Sequence, residues 1–394
     1  MEFIPIQYQT NSSTLVMAET QGKSTVQKQI LFLTSLLLLG GIAVSTPSIA
    51  QTDEDYDRSP TYQLPENDEL KRLLDDARSL VEDGRFGRAL AIYQQAASLD
   101  SKNARIYSAI GYLQARQGNY QEAANAYRQA VALQSNNAEF HYALGYALAS
   151  AGDNQGAAAA YRRVTQINRN HLKAYLGLGV VLMRQGDYQG AMRTYEQAIR
   201  LDPKSVEIRA SMATILLQQK RYQDAINVLQ RAVTLEPNNS NLQFNLATAY
   251  LVQGNQIGAL TALERAAKLE PRNPQIHLQI GRIRRSQKNL EAALAAYQRA
   301  ADLDSKLAEA HAAIGDILLE QEQFQQAVAA YRRFSKVAPE EPTAQFNLGV
   351  AFSRWGKKQE AIEAFNQAIN LYRRQNNDRG VQKAETAVRG LQQQ

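Results

Sequence analysis

The sequence predicts an all-α chain that repeats one helical hairpin nine times, and three observations predict it. Alanine recurs every 34 residues, at Ala89, Ala123, Ala157, Ala191, Ala225, Ala259, Ala293, Ala327 and Ala361. Four residues after each stands a large apolar group: Tyr93, Tyr127, Tyr161, Tyr195, Leu229, Leu263, Tyr297, Tyr331 and Phe365. Twelve residues before each stands a small one: Ala77, Gly111, Gly145, Gly179, Ala213, Ala247, Gly281, Gly315 and Gly349. A fixed period held over most of a chain marks a repeat architecture. A spacing of four puts the alanine and the large group on one face of one helix. The composition agrees, with 44% hydrophobic residues and only 10 prolines in 394.

Taken in order, the chain opens with a segment that reads as an export signal. An apolar stretch runs from Ile30 to Val44, behind Lys28 and ahead of the small residues Ser48 and Ala50. Basic flank, short apolar core and small residues are the order of a cleaved signal peptide over residues 1–50, with cleavage after Ala50 and a periplasmic or otherwise exported destination. The alternative is a membrane anchor at 30–44. Its fifteen residues would span about 22 Å, short of the roughly 30 Å hydrocarbon core, and Gly40 and Gly41 weaken the helix.

Residues 51–69 follow as an acidic linker. Asp53, Glu54, Asp55, Asp57, Glu66, Asp68 and Glu69 face only Arg58, and two prolines interrupt the segment. The net charge of the whole chain is +6, so the body from Leu70 onward carries about +12. Such a body suits acidic peptides or nucleic acid, or serves solubility alone.

The repeats occupy residues 70–375. Each copy reads as a first helix of about fourteen residues, a turn such as Gly118-Asn119-Tyr120 or Gly186-Asp187-Tyr188, and a second helix such as 121–132. The small residue lets the two helices approach, and the ring fills the space beside it. One hairpin has too little core to stand alone. Nine stacked hairpins share one core and wind into a right-handed superhelix with a concave groove. Over 376–394, Val381, Ala384, Ala387, Val388 and Leu391 form a helical apolar stripe, expected as a capping helix on the end of the stack.

Small residue, alanine and aromatic at this period, with Pro203, Pro237, Pro271 and Pro339 near the ends of copies, resemble the tetratricopeptide-repeat (TPR) family. The resemblance implies a protein-binding scaffold whose groove is lined by particular positions of each first helix. Here these are Arg78, Arg105, Tyr112, Arg116, Tyr142, Tyr146, Lys173 and Arg184, then Phe244, Asn245, Arg282, Arg285, Phe346, Asn347 and Arg354. Asn245 and Asn347 match the asparagine with which peptide-binding members hold an extended backbone. Arginine forks and tyrosine faces suit an extended client segment carrying carboxylates. The bland alternative is that exposed arginines only keep an alanine-rich chain soluble. Nine uninterrupted repeats behind an export signal also resemble cyanobacterial periplasmic assembly factors of the PratA type. That resemblance implies a role in photosystem II biogenesis, with a reaction-centre precursor as client. The competing expectation is an envelope-associated adaptor for secretion or cell-wall machinery, with membrane association through client or leader.

Chemistry has little room. The repeats consume nearly every residue from 70 to 375, and no phosphate-cradling loop, zinc-protease helix or marked Ser-His-Asp set stands in them, so a noncatalytic chain without cofactors is expected. The absence of cysteine excludes thiolate metal sites, disulfides and cysteine nucleophiles. Glu309, Asp316 and Glu320 share one helix face at spacings of seven and four, where hard oxygen donors could attract Mn²⁺ or Ca²⁺. The alternative is a solvated acidic face. His141, His277 and His311 occupy one repeat position and read as packing imidazoles with local partners, while His171 lies near a turn with no partner readable from sequence. Interspersed acids and the export signal argue against nucleic acid.

Overall fold

The computed structural model describes residues 68–393, and the leader and most of the acidic linker lie outside the described residues. All regular structure among those residues is α-helical. Two compact units divide at Leu235.

Unit 1 carries five hairpins. They are α1 (Asp68–Glu82) with α2 (Phe86–Leu99), α3 (Ala104–Arg116) with α4 (Tyr120–Leu133), and α5 (Ala138–Ser150) with α6 (Asn154–Ile167). Next come α7 (Leu172–Arg184) with α8 (Tyr188–Leu201) and α9 (Val206–Gln218) with α10 (Tyr222–Leu235). Unit 2 carries four, α11 (Ser240–Gln253) with α12 (Gln256–Leu269), α13 (Pro274–Ser286) with α14 (Leu290–Leu303), α15 (Ala308–Glu320) with α16 (Phe324–Val337), and α17 (Pro342–Arg354) with α18 (Lys358–Arg374). A last helix, α19 (Asp378–Gln392), packs on α18. The first helix therefore begins at Asp68, inside the segment expected as linker.

Helix starts are set by side-chain caps. Asn103, Asn137, Ser205, Asn239 and Asn273 each accept a backbone N–H from the first turn that follows, leaving fewer orphan donors at those helix ends. The turn inside each hairpin is set by one left-handed residue. Gly84, Gly118, Gly152, Gly186, Gly254 and Gly356 fill it with φ between 72° and 88°, and Lys220, Lys288 and Glu322 fill it at about 60°. A side chain at this conformation costs about 1 kcal/mol that glycine avoids.

The repeated triplet makes the core. All nine alanines are fully buried, at 0% exposure. Where the small residue is glycine, the large ring of the same repeat lies directly against it. A Cβ added to Gly145 would stand 2.8 Å from the Tyr161 ring, and one added to Gly349 would stand 2.7 Å from Phe365. Glycine is thus required there by close approach. Leu229 and Leu263 are slimmer, and their partners are Ala213 and Ala247, so in those two repeats the small and large positions compensate in volume, whereas the first repeat pairs Ala77 with Tyr93.

Unit 1 also orders its first helices side by side: α5 touches α3 and α7 as well as its own hairpin partner. That layer presents one face made of first helices. In unit 2, α19 packs against α18 at the end of the stack. Its Ala384 and Leu391 are buried in the unit 2 core, and Gly380 lies against the Tyr372 ring.

Candidate functional site

On the face built by α3, α5 and α7, the expected groove residues separate into lining and core. Tyr112 and Tyr146 are half-buried, while Arg116, Lys173 and Arg184 are exposed. The Tyr146 ring meets Tyr120 edge-on at 6.3 Å, and the Arg116 guanidinium lies 5.2 Å over the Phe86 ring. Arg184 reaches from the end of α7 to the last turn of α5, donating to the Ala149 carbonyl at 3.3 Å. Arg78 pairs within α1 with Asp75 at 3.7 Å, and Arg105 is half-buried on α3.

Tyr142 was expected in the groove and is instead core. It is 3% exposed, with its ring 5.8 Å from Tyr161 and 5.0 Å from His171. The reason is that the rings of Tyr161, from its own hairpin, and His171, at the start of the next, cover it.

Beneath this face lies Tyr161, fully buried, its hydroxyl without a hydrogen-bond partner among the described residues. The ring is wedged between Gly145 of α5 and Gly177 of α7. Burial pushes its phenol well above the ordinary range, Tyr142 and Tyr146 add to the shift, and Arg184 opposes it. Sequence reading placed Tyr161 among the repeat's core rings, and nothing in the 34-residue pattern distinguishes its hydroxyl from the others.

His171 was also missed. Its Nδ1 accepts the Ala174 backbone N–H at 3.1 Å, so the ring caps α7. That bond leaves Nε2 as the protonated nitrogen, facing Glu139 Oε1 at 3.4 Å. The hydrogen bond from His171 holds the Glu139 carboxyl below its ordinary range against the opposing effect of burial, with the fields of His171 and Lys173 adding to the lowering. The signal was available: His171 occupies the register that holds Asn103, Asn137 and Ser205 as caps in other copies. The three equivalent histidines meet the expectation. Their Nε2 atoms bond the carbonyls of Ser135, Pro271 and Ser305 at 2.9–3.0 Å.

In unit 2 the same register holds a different chemistry. Arg282 of α13 forms a two-pronged ion pair with Glu309 of α15, and Arg285 pairs with Asp316 at 3.1 Å. The Tyr331 hydroxyl donates to the other Asp316 oxygen at 2.7 Å. These partners are the physical reason that the acids expected to hold Mn²⁺ do not assemble: among the described residues no group of three His, Cys, Asp or Glu side chains could hold a metal ion. Glu320 is exposed at the end of α15. Phe346 is a second correction. It is 9% exposed, packs 5.3 Å from Phe365, and carries Lys383 of α19 over its ring at 4.5 Å. Phe244, Asn245 and Asn347 are half-buried and Arg354 exposed.

Over residues 66–313, more than half the chain, the sequence matches the TPR family model described as Cilia and flagella-associated protein 70 C-terminal domain, and over 312–379 the one described as Tetratricopeptide repeat. The chain belongs to the TPR family. Solved TPR structures match parts of the chain. The C-terminal part of a TPR repeat-containing protein from Cytophaga hutchinsonii is 15% identical, over 60% of this chain and 98% of that one, with a TM-score of 0.55. A TPR protein from Parabacteroides merdae is 18% identical over 64% of this chain and 100% of that one, at 0.48. YrrB, described as a TPR protein with an unusual peptide-binding site, is 22% identical over 48% of this chain and 96% of that one, at 0.41. No curated protein matches the chain.

Proposed function

We propose that this TPR protein is a noncatalytic scaffold that holds an extended segment of a client protein on the first-helix face of unit 1. The observation that carries the proposal is the set of cations and rings on that face. Arg116, Lys173 and Arg184 stand beside Tyr112 and Tyr146, and Arg116 and Arg184 have no carboxylate partner among the described residues. Exposed tyrosine and arginine are the side chains that give a surface contact area and directed donors at low entropic cost. In unit 2 the half-buried amides of Asn245 and Asn347 make no hydrogen bond with any described residue, which suits them to hold a client backbone.

A finer reading is an exported assembly factor of the PratA type, acting in photosystem II biogenesis on a reaction-centre precursor. The export-signal reading of residues 1–50 and nine copies without interruption support it. Mn²⁺ supply lacks support from the acids expected to provide it, because Glu309 and Asp316 neutralise Arg282 and Arg285.

The test is photo-crosslinking. A benzophenone side chain is placed at Tyr112 or at Arg354 of the full chain, which is exposed to native extract, and crosslinked peptides are identified by mass spectrometry. One contiguous segment of one protein, captured at Tyr112, is the expected result. Crosslinks scattered over many proteins and segments, or none, would overturn the scaffold reading. A photosystem reaction-centre precursor among the captured segments would favour the finer reading, and secretion or cell-wall components would replace it with an envelope adaptor.

A further inference from the structure

Within unit 1, a cleft of about 260 Å³ opens where α6 meets the hairpin of α7 and α8. The buried Leu178 and Leu182 of α7 and the half-buried Tyr175 line its apolar part. Arg162 of α6 and Arg193 of α8 supply its positive charge. Both arginines are exposed, and neither side chain has a hydrogen bond, ion pair or ring contact with a described residue. One acid shares the wall, Asp187, and one of its oxygens is engaged in capping α8, accepting the Gly190 N–H at 2.8 Å. The cleft therefore keeps an excess of positive charge.

The repeat register shows why the cleft stands open at this place. Arg162 lies five residues after one repeat alanine and Arg193 two residues after the next, and of the junctions between successive copies only this one has arginine at both positions. The junction of the last two copies has Arg332 and Glu363 there, and Phe352 where this one has Leu182. Arg332 lies over the Phe352 ring at 5.3 Å. In unit 2 the chain thus gives that arginine a ring of its own, and in unit 1 the smaller leucine leaves both the space and the arginine free.

We infer that this cleft is a binding site for a small organic phosphate, a monoester whose oxygens meet Arg162 and Arg193 and whose apolar body lies against Tyr175 and Leu182. Guanidinium forks on two different helices approach a ligand from two sides. A phosphate monoester offers them three acceptor oxygens and a charge of about −1.5 to −2, where a carboxylate offers two oxygens and a single charge. With Asp187 in the wall, the charge of the ligand decides how much attraction remains, which favours the dianion. The leucines and the tyrosine ring add apolar contact that inorganic phosphate has no means to use. None of these residues belongs to the client face, so the site stands or falls independently of the scaffold reading.

The test titrates the full chain with phenyl phosphate, inorganic phosphate and benzoate by isothermal calorimetry, alongside thermal unfolding of each variant. The wild type is expected to bind phenyl phosphate about tenfold more tightly than either of the other two. Arg162→Gln and Arg193→Gln should each weaken phenyl phosphate about tenfold, the worth of a hydrogen bond to a charged group, with Tm unchanged because both side chains are exposed and unpartnered. Leu182→Phe places in the cleft the ring that unit 2 carries and should abolish binding with both arginines still present. If that larger side chain prevents folding, the two arginine variants decide. Arg128→Gln is the control, since Arg128 holds the position of Arg162 in the preceding copy and donates to Asn125 at 2.8 Å; it should change nothing. No binding of phenyl phosphate, equal binding of the three probes, unchanged binding in both arginine variants, or an equal loss with Arg128→Gln would overturn the site.

Discussion

Units 1 and 2 are built on one triplet of alanine, ring and small residue, yet they use the first-helix register differently. In unit 1 the exposed arginines Arg116 and Arg184 find a ring and a carbonyl, and a buried hydroxyl is left unpaired. In unit 2, Arg282 and Arg285 are each matched by an acid on the next first helix, and the corresponding hydroxyl is paired. The lesson is that the repeat pattern governs packing, while the residues between its positions decide whether a face is saturated by the chain itself or left open to a partner.

The comparison breaks first if the cores are unequal. Tyr161→Ala in unit 1 and Phe365→Ala in unit 2 should each cost about 3–5 kcal/mol, because both empty a site with less than 3% exposure. Hydrogen exchange resolves the two units separately and should show similar losses, each confined to the mutated unit and its neighbours.

A single conservative substitution sharpens it next. Tyr331→Phe removes a bond to a carboxylate and should cost about 1.5–3 kcal/mol in unit 2. Tyr161→Phe should cost nothing or stabilise unit 1. Equal losses by denaturant titration would show that the two hydroxyls are equivalent after all.

Turn conformation separates the units more mildly. Unit 1 places glycine at four of its five left-handed turn positions, and unit 2 at two of four. Lys288→Gly and Glu322→Gly should each stabilise unit 2 by about 0.5–1 kcal/mol, and Lys220→Gly should do the same in unit 1. Melting curves of the single and combined variants check this.

The smallest effect is a pH dependence local to unit 1. Glu139 is held below its ordinary value of 4.5 chiefly by the hydrogen bond from His171, so its contribution is present above that value and is lost as pH falls through the lowered one. His171→Ala should make the acid limb of unit 1 shallower in hydrogen exchange between neutral pH and the carboxylate range. An unchanged limb would assign the shift to other groups.

Much of the fold could be read directly because its determinants recur. Nine alanines in register fix the hairpin packing, and the caps follow from Asn and Ser at the turn. The face chemistry was less legible. Tyr142 and Phe346 sit at positions that line a groove in the family, but the rings of Tyr161 and His171 cover one and Phe365 and the covering helix α19 bury the other. Spacing on one helix suggested that Glu309, Asp316 and Glu320 act together. It could not show that arginines on α13, some thirty residues earlier in the chain, neutralise the first two. His171 was readable as a cap by register, and Glu139 as its partner was not, since their approach depends on how α5 packs beside α7.

By itself the sequence determined the helical hairpin, its period, its buried alanines and the pairing of small residue with ring, because these depend on volumes and helical spacing that repeat locally. Tertiary structure alone decided which arginines meet acids, which hydroxyl stays unpaired and which tyrosines face outward. Those outcomes depend on distances between neighbouring hairpins, and a shift of a few ångströms separates a paired charge from an open one.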